Sequence, residues 1–193
     1  MFPFFILNDM IKYSTTYILL ILVLMSCSGI DSIYKIDFPL SNKTINSQTE
    51  YFSLNIPDGW RKVDANGDAY VDIWLVNDTD EFSISFMPIK ADVIFPANSE
   101  RETENFETLI KIYIESLLGN KVDKKTVEQF EIQSINFNAL EMKTKSNRER
   151  FVFFRINNKY FVSRAVANSR NINYEKLFRI QNSVLSSVQS IKQ

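Results

Sequence analysis

Phe52-Ser53-Leu54-Asn55-Ile56-Pro57-Asp58-Gly59-Trp60 is the stretch that decides the fold of this chain. Apolar and polar residues alternate through its first half, which predicts a β-strand with one buried face. Pro57 and Gly59 stand where a tight turn favours them, so the strand is predicted to end there. Trp60 follows directly, and an aromatic ring after a tight turn packs back over the strand it leaves. We therefore expect a half-buried strand that ends in a turn at Pro57-Asp58-Gly59, with the Trp60 ring packed over it.

Outward from this stretch, the sequence predicts strands, a helix, strands and a second helix. Period-2 alternation predicts the strands, and apolar residues three and four apart predict the helices. Asn-Gly at 66–67, the polar run 77–80 and Asn157-Asn158 predict hairpin turns. The predicted strands are 51–56, 69–76, 82–87, 129–135, 139–144, 151–156 and 160–167, and the predicted helices are 99–118 and 174–191.

Capping residues mark the predicted helix ends. Ser99 with Glu102 forms a capping box, and Gly119 is placed as the C-cap of the same helix. Asn173 is expected to cap the second helix. Short connections between consecutive strands favour antiparallel pairing. The predicted class is α+β, a mainly antiparallel sheet flanked by helices in an α/β/α sandwich.

The stretch from Phe52 to Trp60 also resembles the opening of PsbP-like domains, whose first core strand runs into a Pro-x-Gly-Trp turn. Photosystem extrinsic proteins, DcrB-type periplasmic lipoproteins and Ran-binding import factors share this fold. The order of elements agrees over nearly all of 51–191. The resemblance implies an antiparallel sheet between helical layers, in proteins that mostly act as scaffolds or binders without catalysis. It implies fold-defining roles for Pro57, Gly59 and Trp60, and no site.

A lipoprotein signal is predicted before the domain. The apolar run Tyr17–Met25 is shorter than the roughly 20 residues of a spanning helix and fits the apolar region of a signal peptide. Leu24-Met25-Ser26-Cys27 resembles the lipobox of bacterial lipoproteins, whose cysteine is lipidated and becomes the first mature residue. Met25 departs from that pattern, in which a small or β-branched residue is usual. The alternative is an uncleaved membrane helix that contains a cysteine.

Cys27 is the only cysteine, so it has no disulfide partner, and lipidation accounts for it. Two or three acyl chains would anchor the protein stably to a membrane of the cell envelope. Ser28 stands where an Asp would signal inner-membrane retention, which favours the outer membrane in a cell with two. The predicted domains are a signal peptide at 1–26, a lipidated tether at 27–48 and one PsbP-like domain at 49–193. Translation is expected to start at Met1 or Met10.

Composition excludes several classes of function. Histidine is absent and the net charge is -1, which removes the commonest general base and gives nucleic acid no basic stripe. No phosphate-binding loop or Gly-x-Ser-x-Gly elbow occurs. Asp64, Asp68 and Asp72 do not follow the calcium-loop pattern, so they are read as a solvated hairpin turn. We predict no catalytic residue, no metal and no cofactor.

One cationic surface is a candidate partner site. Arg148, Arg150, Arg155, Tyr160 and Arg164 cluster in the late strands and are predicted to face an acidic partner, a polysaccharide or lipid headgroups. The alternative is that these arginines are the exposed face of an amphipathic strand.

These observations lead to three hypotheses. The first is a membrane-anchored, non-enzymatic binding or assembly module whose partner is an envelope protein or glycan. The second is a glycan-acting enzyme that uses two converging carboxylates. The third is a small-ligand carrier with an apolar cavity between sheet and helix.

Replacement of Cys27 by alanine tests the predicted anchor. The wild-type chain is expected to carry acyl mass and to sediment with membranes, because the acyl chains are attached to this sulfur. Cys27→Ala should be unprocessed or released. Intact-mass measurement and membrane fractionation check this, and identical behaviour of the two chains would contradict the lipoprotein prediction.

Overall fold

The computed structural model of the chain describes residues 35–49, 51–64, 70–79, 81–90, 102–118, 124–143, 148–167 and 172–191. The predictions for the signal peptide, Cys27, the Asn-Gly turn, Ser99 and Gly119 lie outside the described residues. They stay predictions. Neither described helix is long and apolar enough to cross a membrane.

The described residues form two antiparallel sheets and two helices, which confirms the predicted α+β class. One sheet has three strands in the order β1-β2-β10, and the other has seven in the order β3-β4-β5-β9-β8-β7-β6. The elements are β1 (Leu40–Asn46), β2 (Phe52–Pro57), β3 (Arg61–Val63), β4 (Ile73–Asn77), β5 (Phe82–Ile89), α1 (Glu102–Leu118), β6 (Lys124–Ile132), β7 (Ile135–Lys143), β8 (Arg148–Ile156), β9 (Lys159–Ala167), α2 (Tyr174–Ser186) and β10 (Gln189–Ser190).

The β2 strand alternates as its sequence predicts. Phe52 is fully buried, and its ring lies 5.0 Å from that of Phe161 and 5.9 Å from that of Phe154. The chain then turns at Gly59, whose φ is +77°. The N–H of Trp60 donates to the carbonyl of Pro57 at 3.1 Å, and the indole is buried in the core that holds β2.

The seven-stranded sheet is buried on both faces at its centre. In β8, Val152 and Phe154 belong to the core shared with β2 and α2. Phe151 and Phe153 belong to a second apolar cluster on the other face, where α1 contributes Ile110. Successive side chains of a strand point to opposite faces, so the two helices cover opposite faces. The α/β/α layering follows from this alternation.

The second half of the predicted tether is part of the fold, which corrects the boundary at residue 48. The β1 strand pairs antiparallel with β2, so residues 40–46 belong to the folded domain. Only Leu40 and Ile45 of this strand pack against the core, and the register shifts between Leu40 and Thr44. An edge strand with a bulge has no regular alternation to read.

The chain is fastened to α2 just before β1 begins. The guanidinium of Arg179 makes an ion pair with the carboxylate of Asp37, with Nη2 and Oδ2 2.5 Å apart. This hydrogen-bonded guanidinium holds the pKa of Asp37 below its ordinary value. The N–H of Phe38 donates to the Ser183 hydroxyl at 3.1 Å.

Two element boundaries differ from their predictions. The β6–β7 turn lies at Gln133-Ser134, where φ is 50° and 64°, and residues 136–138 belong to β7 rather than to a loop. Gln-Ser carries none of the usual signals for such a turn. The second helix ends at Ser186 rather than Ile191, because the chain then forms β10 against β2.

Gly59→Ala tests the turn after β2. A methyl group there would meet only the Asn77 amide nitrogen at 3.9 Å, so space is available and the cost is the positive φ. We expect a loss of about 1–2 kcal/mol in the free energy of unfolding. Gly59→Asn is the matched control, since Asn tolerates this conformation better. Urea unfolding measures both, and an alanine variant as stable as wild type would contradict the argument.

Candidate functional site

An open cavity of about 670 Å³ lies beside α1, over the ends of β6, β7 and β8. We call it the amide groove, because amide side chains make up much of its lining. The lining residues are Phe106, Glu107, Gln129, Phe130, Glu131, Ser134, Ile135, Asn136, Phe137, Asn138, Arg155, Asn157 and Asn158.

The floor of the amide groove comes from strand alternation in β6 and β7. Leu140 of β7 faces α1 in the second apolar cluster, so Asn138 and Asn136, two and four residues earlier, lie on the same face. Gln129 is directly opposite Asn138, and Glu131 is opposite Asn136. Paired side chains in antiparallel strands stand about 5 Å apart at Cβ. Four polar side chains therefore form a compact array.

Three amides of the floor keep their hydrogen-bonding groups available. The side chains of Gln129, Asn136 and Asn138 make no hydrogen bond with any residue that the structure describes. Each amide carries two N–H donors and a carbonyl acceptor. The floor can therefore both donate to and accept from a ligand.

The ring of Phe106, from α1, is part of the lining of the amide groove. The ring of Phe106 stacks on that of Tyr160 at 5.3 Å between centroids, with 23° between their planes. The Arg155 guanidinium carbon lies 5.7 Å from the centroid of the Tyr160 ring. Nη2 of Arg155 also donates to Oδ1 of Asn158 at 2.8 Å. The arginine is held in place by these contacts.

Asn157 fixes the rim of the amide groove. Its Nδ2 donates to the carbonyls of Tyr51 and Ile191, each at 3.2 Å. Its Oδ1 accepts from the Ser190 hydroxyl at 2.8 Å. The predicted hairpin turn is present, with positive φ at Asn157 and Asn158. The Asn157 side chain thus joins the β8–β9 turn to the three-stranded sheet.

The five residues predicted as one partner surface are divided between the two faces of the sheet. Arg148 and Arg150 are an even number of residues from Val152 on β8, so they face α2 as it does. Arg155, Tyr160 and Arg164 lie on the α1 face. Arg150 is 1% exposed and cannot belong to a surface. Strand alternation explains the correction, because residues an odd number apart on one strand point to opposite faces. Of the five residues, only Arg155 lines the amide groove, and Tyr160 lies next to it, with the Arg155 guanidinium over its ring.

Arg150 belongs to a buried polar network that joins α2 to the sheet. Its Nη1 donates to Oδ1 of Asn182 at 2.6 Å and to Oε1 of Gln181 at 3.3 Å. Nε2 of Gln181 then donates to the carbonyl and hydroxyl oxygens of Ser163, at 3.2 and 3.0 Å. The guanidinium lies 5.6 Å from the ring centroids of Phe130 and Phe178. Its role is structural.

The other two arginines form ion pairs on the sheet. Arg148 pairs with Glu141 and lies over the rings of Tyr174 and Phe178. Arg164 pairs with Glu149 at 2.8 Å. Both cations are therefore matched by carboxylates of neighbouring strands.

A second cavity, of about 620 Å³, lies on the same face over β4, β5 and β9. Its lining includes Trp74, whose Nε1 donates to the Ser83 hydroxyl at 2.7 Å, and Asp78, which pairs with Arg61 at 2.9 Å. Its most prominent polar groups are thus already bonded within the protein. The amide groove is the better candidate for a binding site.

An apolar cluster holds α1 against the sheet. The ring of Tyr113 lies 5.3 Å from that of Phe153 and 6.3 Å from that of Phe151. Burial raises the pKa of Tyr113 above its ordinary value, and the nearby Arg164 cation opposes the shift. α1 is therefore docked on the centre of the sheet.

Asp72 is not part of a solvated turn, which corrects the reading of the acidic residues 64–72. It is 3% exposed, and its carboxylate accepts from the N–H and the hydroxyl of Thr49 at 3.0 and 2.8 Å. Asp64 is exposed, and Asp68 lies outside the described residues. Within the described ranges, no group of three or more Asp, Glu, His or Cys side chains is placed to hold a metal ion.

Comparison with solved structures identifies the fold as PsbP-like. The chain is similar to cyanobacterial PsbP (CyanoP) from Synechocystis sp. PCC 6803, with a TM-score of 0.52 and 13% identity, over 86% of this chain and 97% of that one. At this identity the similarity concerns the fold alone. A crystal structure from Bacteroides thetaiotaomicron VPI-5482 matches at a TM-score of 0.40 and 12% identity, over 78% of this chain and 49% of that one. No family model and no curated protein matches.

Arg150, which is buried, and Arg164, which is half-exposed, give a matched test of the roles assigned to these arginines. Arg150→Met leaves the buried Asn182 and Gln181 oxygens without their donor, and we expect a loss of about 2–4 kcal/mol in unfolding free energy. Arg164→Met breaks a half-exposed ion pair and should cost less than about 1 kcal/mol. Urea unfolding followed by tryptophan fluorescence compares them. Equal losses would contradict the assigned roles.

Proposed function

We propose that this chain is a membrane-anchored envelope lipoprotein whose PsbP-like domain is a non-enzymatic module that binds an envelope ligand in the amide groove. The single observation that carries the binding role is the set of available amides on the groove floor. The resemblance of Leu24-Met25-Ser26-Cys27 to a lipobox supports the anchor. The membrane is the outer one where the cell has two, as Ser28 favours.

The arrangement of carboxylates favours binding over glycan cleavage. Glu107 and Glu131 both line the amide groove, so they are the natural pair for the enzyme hypothesis. Both side chains are exposed, whereas a glycosidase keeps its acid in an apolar, water-poor setting. The double variant Glu107→Gln with Glu131→Gln would abolish turnover in an enzyme.

The packing on the α2 side disfavours the carrier hypothesis. That hypothesis requires an apolar cavity between sheet and helix. Between the sheet and α2 lie the rings of Phe130 and Phe178 and the Arg150 network. The amide groove, in contrast, is open and is lined by polar as well as apolar side chains.

A photo-reactive benzoylphenylalanine in place of Phe106 tests the proposed function in the full-length chain. The side chain at 106 lines the amide groove, so light should attach envelope material to the membrane-bound protein. Asn138→Ala in the same chain should reduce the yield at least threefold, because the ligand loses one of its hydrogen-bonding partners.

The same photo-reactive group at Trp74 is the control. This position is 38% exposed and lies at the second cavity on the same face. Equal yields from positions 74 and 106, or no adduct from position 106, would overturn the binding role of the amide groove.

A further inference from the structure

The chemistry of the amide groove specifies the class of its ligand. We propose that the groove binds a neutral, hydroxyl-rich oligosaccharide; this inference rests on the proposed function of the same site. Three properties of the lining lead to it: the donors and acceptors on the floor, the charges at the rim and the apolar wall.

The floor is complementary to vicinal hydroxyl groups. Gln129 and Asn138 face each other across neighbouring strands, and each presents donors and an acceptor side by side. A hydroxyl group also donates once and accepts twice, so adjacent hydroxyls match an adjacent donor and acceptor. With Asn136 two residues further along β7, the amides extend over about 7 Å. This array is about the size of one sugar ring.

The charges of the lining select against an anionic ligand. Glu107 and Glu131 place two carboxylates in the groove, and Arg155 is its one cation among the lining residues. The guanidinium of Arg155 already donates to Asn158 and lies over Tyr160. A phosphate or uronate group would therefore meet more negative than positive charge. A neutral ligand meets no such repulsion.

The wall supplies the apolar contact that a sugar needs. Phe106, stacked on Tyr160, lines the groove beside the amide floor. The C–H face of a pyranose ring packs well on an aromatic face, whose π-system is electronegative. The volume of about 670 Å³ lies within the range of sites that enclose a small ligand. A short segment of an oligosaccharide fits this space.

Titration calorimetry with neutral tetrasaccharides tests the inference. The probes are maltotetraose, cellotetraose, mannotetraose and chitotetraose, with tetragalacturonate as the anionic comparison. At least one neutral probe is expected to bind the wild-type chain, and Gln129→Ala and Asn138→Ala should each weaken it tenfold or more. Asn42→Ala is the matched control, because Asn42 is exposed on β1 of the other sheet. Equal melting temperatures of all variants establish that they are folded.

The outcomes separate this inference from the proposed function. Binding of a neutral probe that is lost in the amide variants and kept in Asn42→Ala supports the inference. Absence of neutral binding, equal binding by all variants, or tighter binding of tetragalacturonate overturns it. If the neutral probes fail while position 106 still captures envelope material, the ligand class is wrong and the binding role of the groove stands. If both experiments fail, the proposed function fails as well.

Discussion

The burial of β8 on both of its faces is the constraint on which the remaining structure depends. Phe151 to Phe154 are all buried, so each face of β8 needs its own covering layer. α2 and the three-stranded sheet cover one face, and α1 covers the other. A helix about 10 Å across spans about two strands spaced 4.8 Å apart. In a sheet of seven strands, α1 therefore covers only part of its face, and the amide groove lies beside it.

The two faces use polar side chains in different ways. On the α2 face, the buried Arg150 donates to the buried side chains of Gln181 and Asn182, which fixes the position of the helix on the sheet. On the α1 face, the amides of Gln129 and Asn138 line the open amide groove. Buried polar groups that satisfy one another specify structure, whereas groups available at a groove can specify a ligand. The polar groups of the α2 face therefore hold the helix on the sheet, whereas those of the amide groove are available to a ligand.

Local signals determine which parts of this fold are predictable from sequence. The Asn157-Asn158 hairpin and the Asn173 cap are found as predicted, because each depends on a few adjacent residues. The β1 strand and the end of α2 were missed, because both depend on pairing with β2, which is distant in sequence. The same contrast between local signals and distant pairing applies to the residues of the amide groove. Ile135-Asn136-Phe137-Asn138 alternates between apolar and polar residues, as a β-strand does. Because no turn is recognised at 133–134, residues 136–138 are predicted as a loop, and no role is predicted for the amides of Asn136 and Asn138. Arg155 and Tyr160 were predicted to share one surface with Arg150. The alternation of side chains along a strand is enough to place Arg150 on the opposite face.

The attachment of the chain to α2 before β1 has a mechanical consequence. A domain held at its N-terminus receives any pulling force through the segment that enters the fold first. Here that segment is fastened by the Asp37–Arg179 ion pair and by the bond from Phe38 to Ser183, so tension passes into α2 and the core behind it. A pull on the segment before β1 would therefore reach α2 before it reached the strands that line the groove.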